Sequence, residues 1–270
     1  MGNLWRNLYD LMKYPVNLAT YFSSLAGICS TMLVLTTVIS VSSAEANPAL
    51  FVIKENTIPP PFSAQYDIHM GSMQLGQLNI DLHKNSNSAW VYRAKTKAQG
   101  LASLFIGGKD MTETSHLELI DNTIRPVFFE RIQITNSSDK SERAIFEWHN
   151  NTVKTNYKDR RLQHTLNKYS LDKFTLQLAL MCNLQTLPQH STVAVISKAK
   201  LKEYAIIRHG VESIDTVYGL REAVLIERQR GDASYMIWAD KERYGVPLKI
   251  QHVKKGKAQY EVILAASSLF

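Results

Sequence analysis

From Phe62 onward the chain alternates. Phe62, Ala64, Tyr66, Ile68 and Met70 are apolar or aromatic, and the intervening Ser63, Gln65, Asp67 and His69 are polar. A period of two marks a strand with one buried and one wet face. Gly71-Ser72 reads as a turn, and the return strand carries Met73 and Leu75, then Leu78, Ile80 and Leu82. Its phase flips at Gly76, which predicts a β-bulge. Residues 85–88 turn the chain into a further strand over 89–97, and strand-like segments follow at 111–120, 124–135, 143–148 and 152–157. Pro126 has no N–H to donate to a ladder and is expected at a strand start or bulge. His149-Asn150-Asn151 reads as a hairpin turn. After residue 190 the pattern resumes over 193–198, 201–209, 221–229 and 258–265, with turns at Gly231-Asp232 and Lys255-Gly256.

The best-defined hairpin runs from Trp238 to Val253. A strand over 235–239 leads to a charged turn over 240–243, an exit at Tyr244-Gly245 and a strand over 246–253. Val246, Leu248 and Ile250 alternate with Pro247, Lys249 and Gln251, so a one-residue slip would expose the first set and bury the second. Trp238, Asp240, Gly245 and Pro247 are therefore expected to form a structural motif. Trp238 or Met236 should face the core and pack on Leu248 or Ile250. Gly245 should hold a backbone conformation that a side chain would strain. Pro247 should face a gap, a bulge or solvent.

The period changes in two places. Phe174, Leu178 and Met181 recur at helical spacing, and Leu171, Leu180 and Leu184 widen the stripe, which predicts an amphipathic helix over 171–184 with Ser170 as N-cap and Pro188 as stop. Leu101, Leu104 and Phe105, closed by Gly107-Gly108, predict a short helix or wide bend over 99–106. About a dozen short strands and one solid helix define a mainly β fold: a strongly curved antiparallel sheet or open β-barrel with the amphipathic helix packed on it. Residues 62–270 form one such domain. Residues 47–61 read as a linker that ends in Pro59-Pro60-Pro61.

The N-terminus changes the picture of location. Leu25 to Val41 is an uncharged, mostly apolar run preceded by Arg6 and Lys13. Ala44-Glu45-Ala46 after it fits a small-x-small cleavage site, so residues 1–46 read as a secretory signal peptide and the product as periplasmic. The alternative is a retained inner-membrane anchor facing the periplasm. Cys29 follows Ile28 rather than a small residue, which argues against lipidation there. Cleavage leaves Cys182 alone in an apolar setting, so a buried inert thiol is expected and no internal disulfide.

The formal charge is +7. Basic residues are dispersed among acidic ones, with clusters at Lys158-Asp159-Arg160-Arg161 and Lys254-Lys255-Gly256-Lys257. Solvated turns and strand edges account for such clusters; the sharper alternative is attraction to anionic lipid headgroups or an acidic polymer. Export disfavours nucleic acid as a partner and makes the protein membrane-proximal. None of the eight histidines lies near another in the pattern of a ligand pair, and no nucleophile elbow, P-loop or dinucleotide fingerprint occurs. Gly107-Gly108-Lys109 lacks phosphate-loop spacing, Asp110 and Glu113 would face opposite ways on a strand, and Cys182 with His190 is coincidence. No catalytic, metal-binding or cofactor-binding residue is expected, and an envelope hydrolase is the weakest reading.

Several short motifs occur in a suggestive order: Tyr66-Asp67-Ile68 with Met70-Gly71 and Leu75-Gly76; Gly100 to Phe105 followed by Asp110 and Glu113; Ile124-Arg125-Pro126; and Trp238-Ala239-Asp240 with Val246 to Ile250. In that order and spacing the chain, from about Phe62 to Leu264, resembles the DUF3108 family of bacterial envelope proteins, a domain of unknown function. The resemblance implies a periplasm-facing, mostly β fold comparable to the open-barrel carriers of lipids and lipoproteins. It carries over no catalytic residue.

The apolar strand faces Phe62 to Met70, Leu78/Ile80/Leu82 and Tyr260/Val262/Leu264 exceed what one helix can cover. The leading functional expectation is thus a non-enzymatic envelope protein that binds a lipid, acyl chain or apolar peptide in the concavity of the sheet. Tyr66, Ile68, Leu78, Ile80, Phe174, Leu178 and Met181 would line it. These faces could equally close on themselves as a core. The alternative function is a structural or adaptor role in envelope assembly, binding a protein or polysaccharide through an edge strand or a Tyr/Trp patch.

Overall fold

The computed structural model describes residues 52–53, 57–86, 89–99, 110–133 and 141–270. The expected leader, much of the linker and nearly all of the expected short helix over 99–106 lie outside the described residues.

The strands are β1 (Phe62–Met70), β2 (Met73–Lys84), β3 (Trp90–Ala98), β4 (Met111–Ile120), β5 (Thr123–Gln133), β6 (Glu142–Glu147), β7 (Thr152–Tyr157) and β8 (Arg160–Thr165). The helix α1 (Lys173–Cys182) follows. The second run is β9 (His190–Ser197), β10 (Lys200–Thr216), β11 (Gly219–Arg230), β12 (Ala233–Asp240), β13 (Pro247–Lys254) and β14 (Lys257–Ser267). All belong to one 14-stranded sheet in the order β8-β7-β6-β5-β4-β3-β2-β1-β14-β13-β12-β11-β10-β9. Each strand pairs antiparallel with its sequence neighbours, β1 pairs with β14, and β8 and β9 are left as the two ends. The fold is therefore mainly β, barrel-like and not closed, as the alternation predicts.

The segment before α1 covers the free side of β9. Leu171 forms an isolated parallel bridge to Val195, with Leu171 N–H donating to Ala194 O at 2.9 Å and Ile196 N–H to Leu171 O at 2.8 Å. Across the seam, His164 Nε2 of β8 lies 3.1 Å from Ala199 O.

Helix α1 is shorter than its stripe. Its N-cap is Asp172, not Ser170: Asp172 Oδ1 accepts from the N–H groups of Phe174 (2.7 Å) and Thr175 (3.0 Å), and Thr175 Oγ1 accepts from Asp172 N–H at 2.8 Å. This reciprocal capping box satisfies backbone groups that a buried helix start would otherwise strand. Ser170 instead bonds Asn167. Buried side chains surround most of the helix, Phe174, Leu176, Leu178, Leu180 and Met181 among them. The helix thus sits within the fold rather than on its surface. Phe174 stacks on Tyr92 at 4.8 Å and leans on Phe129 at 6.2 Å.

Three bulges fall where glycine or proline predicts them, while the β1–β14 and β13–β14 registers also shift, at Gln65–Tyr66 and His252–Val253, with neither residue present. The β1–β2 register shifts beside Gly76, where an added Cβ would meet Lys97 O at 2.3 Å. The β4–β5 register shifts beside Pro126, and the β12–β13 register beside Pro247. Gly245 has φ +65°, and an added Cβ would come within 2.9 Å of Met181 O, so the β12–β13 turn rests directly on α1. Asp240 organises that turn. It is fully buried, its Oδ1 accepts from Glu242 N–H (2.8 Å) and Arg243 N–H (2.7 Å), and its carboxylate takes Arg221 Nε and Nη2 at 2.9 and 3.2 Å.

One expectation for this hairpin is corrected. The core-facing residue of β12 is Ile237, opposite Ile250, whereas Trp238 pairs with Lys249 on the other face and Met236 shares that face. Trp238 is half-buried beneath β10, with its indole N–H donating to Glu212 Oε2 at 2.7 Å and Lys249 Nζ 5.3 Å from its ring. The remaining differences are additions. β8 forms from the charged Arg160-Arg161 stretch. β10 and β11 extend as a long hairpin whose tip returns to β14, with Tyr218 OH accepting from Ser267 N–H at 2.7 Å and its ring stacked on Phe270 at 4.1 Å. Part of the linker is core: Val52 bridges Thr123 and Ile53 is buried.

Candidate functional site

Directly opposed residues on paired strands share a face of the sheet. The inner face can therefore be followed from strand to strand. Ile226, Ile237, Ile250, Val262 and Ile68 are successive cross-strand partners over β11, β12, β13, β14 and β1. They form an apolar layer continuous with the core around α1.

The next layer, one step toward the Gly231 and Gly256 turns, is different in kind. Arg228, Tyr235, His252 and Tyr260 are successive partners across β11 to β14, and Tyr204 joins them from β10. The Arg228 guanidinium lies 4.4 Å from the Tyr235 ring centre and 5.3 Å from that of Tyr204. His252 sits between Tyr235 (4.7 Å) and Tyr260 (5.0 Å). The two hydroxyls, Tyr260 Oη and Tyr235 Oη, approach to 3.5 Å. Arg228 Nε and His252 Nδ1 are buried without hydrogen-bond partners.

The electrostatics are one-sided. Burial, followed by Lys254 and Arg228, lowers the His252 pKa. Lys202 is pushed down to about 8 by burial, with Lys198 and Arg230 adding repulsion. Burial raises the Tyr260 phenol well above its ordinary range, and Tyr235 adds to the effect. The nearby carboxylate that acts on Lys202 is Glu142, already engaged by Arg131 at 3.4 Å and by the Lys198 amide. Glu113, also buried, pairs with Lys173. These inner-face carboxylates therefore have cations of their own, whereas no ion pair among the described residues includes Arg228, Arg230 or Lys202. A ring of aromatic rings and unpaired cations above an apolar layer can bind an anionic or aromatic group.

The residues expected to line a concavity divide into two sets. Tyr66, Phe174, Leu178 and Met181 are buried in the packed core, where α1 fills the interior. Ile68, Leu78 and Ile80 stay half-buried on the inner face. The sequence reading missed Arg228, Tyr204, Tyr235 and His252; once register is known, their shared phase with Ile226, Ile206, Ile237 and Ile250 reveals them. Of the motif residues, Asp240, Gly245 and Pro247 shape the turn, and Trp238 lines a separate outer cleft of about 400 Å³ with Glu212, Ile214, Lys249 and Ile263. Cys182 is buried and its thiol pKa is pushed up to about 12 by burial, which leaves it a poor nucleophile. Among the described residues no three His, Cys, Asp or Glu side chains are placed to share a metal ion.

The fold and this site together define a β-barrel-like protein, unclosed along one seam and filled from within by a helix, with a polar aromatic row on its inner face. The chain belongs to the DUF3108 family, whose sequence model, described as a protein of unknown function, matches residues 65–263. A crystal structure of a β-barrel-like protein of domain of unknown function DUF1849, from Brucella abortus, shares the fold. It superposes with a TM-score of 0.50 at 8% identity, over 77% of this chain and 97% of that one. No curated protein matches the sequence.

Proposed function

We propose that this protein is a non-enzymatic component of the bacterial envelope that binds an amphiphile on the inner face of its barrel-like sheet. The observation that carries the reading is the partial exposure of apolar side chains on the inner face. Helix α1 packs on Tyr92 and Phe129 through Phe174, while Ile68, Leu78, Ile80 and Ile250 remain partly exposed on the inner face. Partly exposed apolar side chains on a concave face, bordered by aromatic and polar groups, suit an acyl chain. The apolar run and cleavage pattern over 1–46 support export to the periplasm, with a retained membrane anchor as the alternative. Native mass spectrometry and lipid extraction of the protein purified without detergent test the binding. A co-purifying amphiphile, displaced when Leu78 and Ile80 are replaced by Asp, is the expected result; a ligand-free protein that also takes up no added amphiphile defeats the reading.

A second reading, an adaptor for envelope assembly, is favoured by one feature. The tip of the β10–β11 hairpin presents Val217 and Leu220, 64% and 69% exposed, beside Tyr218. Crosslinking from Val217 in envelope fractions tests it: one reproducible protein partner is expected, and a diffuse pattern identical to that from a polar surface position rules it out.

A further inference from the structure

The row above the apolar layer gives the ligand a chemical identity. Arg228 projects from β11 between the rings of Tyr204 and Tyr235, with its Nε buried and unpartnered. Arg228 is half-buried, and a guanidinium with a nitrogen shut off from water normally takes a carboxylate, because an uncompensated cation in a partly dry site is costly. On this face the chain supplies such partners for two cations, Glu142 for Arg131 and Glu113 for Lys173, whereas Arg208, opposite Ile226, also has a buried Nε without a partner and no ion pair among the described residues. For Arg228 it supplies none among the described residues. His252 Nδ1 is likewise buried and unpartnered two strands away, and Lys202 and Arg230 add positive charge on the same side. The rings fix the guanidinium plane, so it is organised before any ligand arrives.

We propose that this row binds the acidic head group of an amphiphile, a carboxylate or a phosphate, with Arg228 as its principal partner and the tyrosine hydroxyls and His252 beside it. The chain of the amphiphile lies on the Ile68, Leu78, Ile80 and Ile250 layer. The assignment rests on the amphiphile reading above and deepens it. The head group completes an ion pair that the fold leaves half-made, and the aromatic walls exclude water from it, which strengthens a charge-assisted hydrogen bond. An acid with a free carboxylate and a monoalkyl phosphate share this chemistry and differ in charge and oxygen count.

The test measures displacement of the neutral probe N-phenyl-1-naphthylamine from the full chain by decanoate, decyl phosphate, 1-decanol and inorganic phosphate. Either acidic amphiphile should displace the probe about tenfold more tightly than decanol, the margin expected of a charge-assisted contact, and the better of the two identifies the head group. Arg228→Met should erase the margin and leave decanol unchanged, and Arg228→Lys should restore part of it. Equal binding of acids and decanol, indifferent to Arg228→Met, overturns the head-group assignment and leaves amphiphile binding standing. Failure of all three chain-bearing ligands overturns the amphiphile reading itself. Inorganic phosphate binding as tightly as decyl phosphate also overturns it, by showing that the chain contributes nothing.

Discussion

Gly245 and Gly231 share a left-handed backbone, at φ +65° and +61°, but not a neighbourhood. A Cβ at Gly231 would meet open space, whereas at Gly245 it would press on Met181 O and Met181 Cα at 2.9 and 3.0 Å. Alanine at Gly231 should therefore cost only the backbone penalty, about 1–2 kcal/mol. Alanine at Gly245 adds the displacement of helix α1 and should cost at least about 2 kcal/mol more in urea denaturation, with overpacking as the guide. Equal destabilisation would mean that the turn does not bear on the helix. Trp238 needs a similar correction. Full burial would make Trp238→Ala cost about 3–5 kcal/mol. A half-buried indole on the outer face, held by Glu212 and Lys249, should cost roughly half that, about 2 kcal/mol, in the same measurement. A loss near 4 kcal/mol would place Trp238 in the core after all. The sequence made the special backbone at Gly245 legible because glycine beside a charged turn has few other uses. It concealed the facing of Trp238 because both faces of β12 carry large side chains, Tyr235 and Ile237 on one and Met236 and Trp238 on the other, so alternation alone does not choose between them.

At the scale of elements, long runs with one periodic face were readable and two-sided polar ones were not. Helix α1 announced itself through Phe174, Leu178 and Met181, and the β1–β2 hairpin through its alternation. β8 stayed hidden because Arg160, Arg161, Gln163 and His164 give it no apolar face, as suits a strand at the end of a sheet. The extension of β10 beyond Gly210 stayed hidden for a similar reason. The helix start is the element with a pH signature. Asp172 is fully buried, and burial raises its pKa despite hydrogen bonds from Ser115 (2.6 Å), Thr175 and Phe174. The folded state then holds this proton more tightly than the unfolded chain does. Its contribution is fully present below the ordinary carboxylate range and is lost as pH rises through the raised pKa. Asp172→Asn keeps an acceptor for Phe174 and Thr175 and no longer titrates. Urea unfolding of both proteins from pH 7 down to the ordinary carboxylate range, about pH 4, should show the parent gaining on the Asn variant as pH falls; an unchanged difference would mean that the carboxyl is not desolvated. Asp172→Ala, which strands both amides and also no longer titrates, should cost about 1–2 kcal/mol at pH 7 and more as pH falls.

At the scale of the molecule, the sheet order turns residues far apart in sequence into one surface, and this is why the candidate site was the least legible part. Arg228, Tyr235, His252 and Tyr260 lie on four strands, and each looks in isolation like an ordinary strand residue near a turn. Only the register of the whole sheet aligns them over Ile226, Ile237, Ile250 and Val262. That alignment makes His252 a reporter for the site. Facing it are Tyr235 and Tyr260 on the flanking strands, Arg228 beyond Tyr235, and Lys254 on its own strand. Burial and these two cations lower its pKa from a reference value of about 6.5. The free protein therefore carries a neutral imidazole at pH 7. An anion placed beside it offsets the cations and raises that pKa, and by linkage the anion must then bind more tightly as pH falls through the liganded value. Decanoate remains ionised over pH 6–8, so a gain in its affinity across that range would come from the protein. The expected outcome is an upward shift of the His252 ring titration, read by NMR, when decanoate is added, with affinity rising toward pH 6. His252→Gln should flatten the pH profile while Arg228 still favours the acid over decanol. A His252 titration unmoved by saturating decanoate would put the bound head group somewhere other than this row.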